Sequence, residues 1–519
     1  MTLGPLLRFA RAATVAAVAG AALLLAPTRA AEPTFFDDDP LTREVASQDA
    51  SGVKRYEPTL LWDVVSNTFG RPGDPDLTKR ARNVNTIDEV PDGEWFVNRA
   101  GREPITPEQI ARGSNTGSGP AAGTWTVTAA KSDGITPGFT VRDANGAIWF
   151  LKFDPPGHPA MATGIEVTIA KLFWALGYHT VEYYITELDP ARLEIAEKTT
   201  FTPPGARPRH MHRGDIDWLL GQADRKAPGT YRVIASKAAP GQPVGRLDFA
   251  GTREDDPNDL VPHEHHRELR GYRVFASWFN HVDAKSVNTI DVLVKRGPRS
   301  VVRHYLLDFG STMGSAAVGP REYWEGWDYL VEPGQTVKGM PLLGFYILPW
   351  RTVDLYESPA VGRMIADNTT WDPERWKPRV PNPAFLHARA DDKFWAAQKA
   401  VAISDDLLRA AVREGQFGSE PDEAFLVKAL ADRRDAIARR YLPAVNPIAD
   451  PALDSGGRLQ FRNVAVDAKV AQPPSAYKAS WSRFDNATGT ATPIAETTGT
   501  GTTLAAPALP QETGAYVQV

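Results

Sequence analysis

Phe279–Thr289 reads FNHVDAKSVNT and places His281, Asp283, Lys285 and Asn288 within one short segment. The run before it, HEHHRELRGYRVFASWFN, puts Leu269, Tyr272, Phe275 or Ala276 and Phe279 on one helical face, so the polar segment falls at the end of a buried helix. The runs after it, TIDVLVK and SVVRHYLLD, flank the turn Arg296–Gly297–Pro298–Arg299 and predict a β-hairpin that ends in Asp308–Phe309–Gly310. If those strands pair, Asn288 and Asp308 become neighbours. They are two hard oxygen donors suited to Mg²⁺, which favours a carboxylate plus substrate phosphate over a full protein cage. Asp283 is then placed to accept a proton from an attacking hydroxyl, and Lys285 to neutralise charge on a moving phosphoryl group.

Upstream, TWTVTAA and FTVRDANGAIWFLKFD predict antiparallel strands with Asn145–Gly146 in a turn. Strand alternation sets Ile148, Phe150 and Lys152 on one face, so the ammonium leaves an apolar row and needs an anion, which phosphate and Glu166 would supply. Ile165, Ile169, Leu172, Phe173 and Leu176 repeat at helical spacing and stop at Gly177, with Glu166 expected to open that helix. HTVEYYITEL reads as one further strand and YRVIAS as another. Residues 394–442 read as two helices, the second entered at Ser419 and Pro421 and rich in arginine toward its end.

The order of HVDAKSVN, hairpin and DFG, preceded by a strand lysine and a helix glutamate, resembles the protein-kinase family, whose pattern is H-R-D-x-x-x-x-N followed by D-F-G. The resemblance covers roughly residues 123–445. It implies an α+β fold with a two-lobed kinase-like core, an ATP and Mg²⁺ requirement, Asp283 and Lys285 as catalytic groups, Lys152 and Glu166 as the nucleotide-side ion pair, and Asn288 and Asp308 as metal ligands. Gly134 and Gly138 in SDGITPGF stand where the family has a glycine-rich loop, without the G-x-G-x-x-G spacing. Val282 replaces the arginine of H-R-D, and no A-P-E follows DFGSTMG, so the likeness is to divergent, atypical or secreted kinases. The acceptor, whether protein, peptide or small molecule, does not follow from it.

A chain of 519 residues, 42% apolar and 23% charged, is long enough for several domains and ordinary in composition. Residues 1–30 have the charged, apolar and small-residue regions of a secretory signal, which predicts export to a periplasmic or extracellular space and membrane attachment only if the leader stays uncleaved. Residues 31–122, rich in Asp, Pro, Gly and Asn, predict an irregular arm. The core then divides into an N-lobe at about 123–240 and a C-lobe at about 241–445, followed by a small β module or tail over 446–519. A net charge of −5 without a basic block speaks against a nucleic-acid partner, and the absence of cysteine excludes disulfides, thiolate metal sites and cysteine nucleophiles. No G-x-S-x-G elbow is present.

Two other readings remain open on the sequence. The same fold without turnover would be a pseudokinase or envelope scaffold that binds a nucleotide or phosphorylated ligand. Alternatively, His263, His265 and His266, with Asp255, Asp256 and Asp259 upstream, offer imidazole and carboxylate donors for a transition metal and a metal-assisted hydrolase, although Arg267 breaks the H-E-x-x-H spacing. A polar helix start is the plain reading of that cluster.

Overall fold

The computed structural model of the chain describes residue 35 and residues 47–130, 137–332 and 348–519. The expected leader and Gly134 lie outside these residues. Among the described residues no helix is long and apolar enough to cross a membrane. They form two compact units, one running to Pro451 and resuming over Phe461–Pro473, the other made of Phe35, Ala452–Gln460 and Pro474–Val519.

The larger unit is α+β in two lobes. Its first lobe is built on strands β1 (Trp125–Ala130), β2 (Gly138–Arg142) and β3 (Ile148–Phe153). The turn between β2 and β3 is organised by the Asp143 carboxylate, which accepts from Asn145 N at 3.0 Å, Ala147 N at 2.9 Å and the Trp149 indole at 2.9 Å. Along β3, Trp149, Leu151 and Phe153 are buried on one face, while Ile148, Phe150 and Lys152 occupy the other. The buried face joins Val127, Phe139 and Val141 against Ile216, Leu219 and Leu220 of a short helix, Arg213–Leu220. Burial of side chains such as Leu151 and Phe153 is worth about 1.5–3 kcal/mol each.

Helix α1 (Met161–Leu176) follows β3 and buries every residue except Trp174, as expected of a helix that is apolar nearly all round. Glu166 lies in its second turn rather than at its opening. The helix begins earlier because the Asp154 carboxylate accepts from Ala160 N and Thr163 N, both at 2.9 Å, and so supplies the cap from outside the helix. It stops at Gly177, whose φ of 117° suits only glycine and where a Cβ would lie 2.2 Å from the Phe96 ring.

HTVEYYITEL forms two strands rather than one, because its halves find different partners. β4 (His179–Thr180) pairs in parallel with the later strand Arg299–Leu306, whereas β5 (Tyr183–Leu188) pairs antiparallel with β6 (Tyr231–Lys237). β6 in turn lies beside β3, with Ile234 opposite Lys152.

The second lobe is mainly helical: α2 (Arg267–Trp278), α3 (Ala390–Val401), α4 (Asp405–Glu414) and α5 (Glu420–Tyr441). Residues 394–442 thus hold parts of three helices, not two. The periodic apolar spacing runs on past residue 401, but Ser404 Oγ accepts from Leu407 N at 3.4 Å and starts a new helix. Ser419 caps α5 as expected. The hairpin β7 (Thr289–Arg296) and β8 (Arg299–Leu306) is in register from Thr289 opposite Leu306 to Arg296 opposite Arg299.

The described part of the arm has little regular structure beyond the helical turns Leu60–Val65, Ser66–Gly70 and Pro107–Arg112. Its Val90, Phe96 and Ile110 belong to the same core as α1, α2 and the C-terminal helices.

The smaller unit pairs Tyr477–Asp485 with Thr490–Gly499 and with Tyr516–Gln518. Trp481 is buried in it, and Phe35 stacks on Tyr516 at 6.3 Å between ring centroids.

Candidate active site

Lys152 is where the two lobes' chemistry meets. Its Nζ lies 2.9 Å and 3.2 Å from the two Glu166 carboxylate oxygens and 2.9 Å from Asp308 Oδ1. Burial works against the ammonium, yet Asp308 and Glu166 outweigh it and hold its pKa above the ordinary lysine value. Glu166 is almost fully buried, Lys152 is 20% exposed and Asp308 42% exposed, so the triad opens to solvent on the Asp308 side.

Asp308 reaches Lys152 because its neighbours are fixed. It adopts φ 58°, a left-handed conformation that aspartate tolerates better than most residues. Phe309, fully buried, stacks on Phe173 of α1 at 5.0 Å and lies 5.9 Å from the His281 ring. Gly310 passes close to Glu166, where a Cβ would come within 3.3 Å of Oε2.

The hairpin register sets Asn288 beside Leu307, the residue before Asp308, with Leu307 N donating to Asn288 O at 2.9 Å. The Asn288 Nδ2 donates to Asp283 O at 2.7 Å and to Asp283 Oδ2 at 3.0 Å. This fixes the amide with its nitrogen toward Asp283 and leaves its oxygen as the ligand-capable atom. Lys285 Nζ stands 2.6 Å from Asp283 Oδ1, as an ion pair outside hydrogen-bond geometry. The sequence-predicted residues therefore fall into two adjoining clusters, Lys152–Glu166–Asp308 and Asp283–Lys285–Asn288. Gly138 opens β2 directly opposite Lys152 in the ladder.

Several supporting residues were given no role by the sequence reading. His281 is fully buried among Phe173, Tyr272 and Phe309, with neither ring nitrogen hydrogen-bonded among the described residues, and burial lowers its pKa to about 4. From the arm, Asp63 Oδ1 accepts from Ser286 Oγ at 3.2 Å, and burial raises the Asp63 pKa. Arg246 donates to the carbonyls of Val287 and Thr289 and holds the same loop from below. The only sequence signal for Asp63 was an acid inside the apolar cluster TLLWDVV; for Arg246 there was none.

The space bounded by Lys152, Glu166, Asp308, Ser311 and Ala317 measures about 20 Å³. That is room for a water molecule within the pocket itself, which opens to solvent on the Asp308 side.

The histidine cluster is no metal centre. His263 Nε2 pairs with Asp259 at 2.7 Å, His265 Nε2 with Asp74 of the arm at 3.1 Å, and His266 Nδ1 with Glu268 at 2.9 Å, so the three rings turn to separate partners. Among the described residues no group of three or more such side chains could hold a metal ion. The rings serve instead as a seat for the arm, with Trp95 packed on His266 at 4.5 Å and on His263 at 5.0 Å.

No protein-family model and no curated protein matches the sequence. Among solved structures, the crystal structure of a Helicobacter pylori proinflammatory kinase CtkA is similar, at 12% identity over 59% of this chain and 94% of that chain, with a TM-score of 0.29. At that score the likeness carries no weight beside the site's own geometry.

Proposed function

We propose that the protein is an exported, kinase-like phosphotransferase that uses a Mg²⁺-bound nucleoside triphosphate, ATP in the first instance. The observation that carries this reading is the Lys152 ammonium shared at 2.9 Å between a buried Glu166 and a half-open Asp308. A purely structural ion pair needs one carboxylate; the second, exposed one is suited to a cation, through which a phosphate would be held. The donor set fits Mg²⁺, with Asp308 and the Asn288 amide oxygen as the protein's ligands and the phosphates completing the shell. When bound, the nucleotide supplies the transferable phosphoryl group. Lys152 orients its phosphates, Asp283 accepts the acceptor hydroxyl's proton, and Lys285 offsets charge near the transferring group.

The 20 Å³ space beside Lys152 favours a second reading, a scaffold in which the ion pairs hold the lobes together and no turnover occurs. Incubation of the mature chain with γ-labelled ATP and Mg²⁺ separates the two. Label on the protein, on envelope extracts or released as phosphate, and lost with chelator, is the expected result. Nucleotide binding with no transfer under any of these conditions would establish the scaffold. Fractionation with N-terminal sequencing tests export: a product beginning near Ala31 outside the cytoplasm is expected, and one beginning at Met1 in the membrane pellet would refute it.

A further inference from the structure

A second cavity among the described residues is far roomier than the one beside Lys152. It lies in the helical lobe, measures about 480 Å³, and is lined by Arg321 and Arg433 together with Tyr323, Trp327, Trp371 and Trp376. That volume is within the ~300–1,000 Å³ typical of small-molecule sites.

Its floor carries two buried cations with little compensation. Arg321 is 3% exposed; its Nη1 donates to Asn280 O at 3.3 Å, but Nε and Nη2 make no hydrogen bond among the described residues, and Glu325 forms an ion pair with it at 3.8 Å, beyond hydrogen-bond reach. Glu325 is itself held by Arg379 at 2.9 Å. Arg433 is 1% exposed and has no carboxylate partner among the described residues: it donates to Asn368 Oδ1 at 2.7 Å and to the carbonyls of Ser277 and Trp278 at 3.2 Å, and its guanidinium covers the Trp371 ring at 4.5 Å. Burial lowers the pKa of both groups, and Arg321 lowers that of Arg433 further. A buried guanidinium without an anion is costly and is ordinarily paired. At the rim, by contrast, charges are balanced, Arg363 with Glu357 at 2.7 Å and Arg375 with Asp372 at 3.9 Å.

We infer that this cavity is a second ligand site, which takes a small molecule bearing an oxyanion, a phosphate ester or carboxylate, on a flat or apolar body. The oxyanion supplies the charge that Arg433 lacks and supplements the Glu325 carboxylate that Arg321 shares with Arg379, and the body lies against the tryptophan and tyrosine walls. None of the groups assigned to the phosphotransfer site lines this cavity, so the inference stands whether or not that reading holds.

The test is calorimetric titration of the full mature chain, without nucleotide or metal, with phenyl phosphate, benzoate, inorganic phosphate and phenol. Saturable binding of phenyl phosphate or benzoate is expected, whichever binds tighter naming the oxyanion, with inorganic phosphate weaker and phenol weaker still. Arg321→Gln should weaken it at least tenfold. Thr370 is an exposed residue of the lining, and Thr370→Glu should weaken it similarly without touching the core, which keeps the test decisive if Arg321→Gln misfolds. No saturable binding of either anion, equal binding of phenol, or full affinity in Thr370→Glu would overturn the assignment.

Discussion

Asp283 and Asp308 are both acids of the proposed site, and their surroundings differ. Asp283 is gripped by Lys285 and Asn288, whereas Asp308 faces Lys152 and solvent. Asp283→Asn is therefore expected to lower phosphoryl transfer ~10²–10⁴-fold with nucleotide affinity nearly unchanged, while Asp308→Asn weakens Mg²⁺-nucleotide binding itself. Label transfer and calorimetry on each variant check this; full transfer by Asp283→Asn would remove Asp283 as the base. His281 yields a pH prediction. Its folded pKa of about 4 lies below the unfolded value of ~6.5, so between these the unfolded chain binds more protons. Its contribution is fully present above pH 6.5 and is lost as pH falls toward 4, by about 3 kcal/mol at most. His281→Phe, which keeps the ring contacts, should unfold with a flatter dependence than wild type over that window in urea titrations; identical slopes would show that His281 is not neutral when folded. These groupings of side chains were legible where neighbours are local in sequence, as in HVDAKSVN and DFG. They were not legible for His281, whose burial depends on Phe173 and Phe309 from distant segments.

At the level of elements, the β7–β8 hairpin and the β3 alternation could be read from the sequence because each is set by neighbours a few residues apart. Boundaries were harder to read. The start of α1 is set by Asp154, and the break between α3 and α4 by a single serine within an uninterrupted apolar rhythm. The end of α1 was visible as Gly177, but not its full reason, which is Phe96 pressing from the arm. Gly177→Ala would combine a left-handed backbone with a clash against a buried ring. It should lower stability by about 2 kcal/mol or more, read as a fall in urea midpoint. A neutral result would mean that the arm does not pack there in solution.

The whole molecule is held by contacts that sequence periodicity cannot express, and the arm is the clearest case. It was recognisable as irregular from its Asp, Pro and Gly content, but irregular here does not mean peripheral: Phe96 and Ile110 are fully buried. Deletion of residues 47–122 should therefore leave a product that binds hydrophobic dye and lacks a cooperative melt, whereas a soluble, cooperatively melting remainder would show that the arm is dispensable. The arm's partners also set an order of events. Asp74 meets His387, Glu89 meets Trp395 and Asn98 meets Lys399, partners 313, 306 and 301 residues further along the chain. At ribosomal speeds of ~5–20 residues per second, the segment made first waits about 15–60 s before the surface it belongs to has been synthesised. During that interval Phe96 and Trp95 are apolar groups on a nascent chain without these partners, open to a holding chaperone or a protease for longer than the helices on which the arm docks.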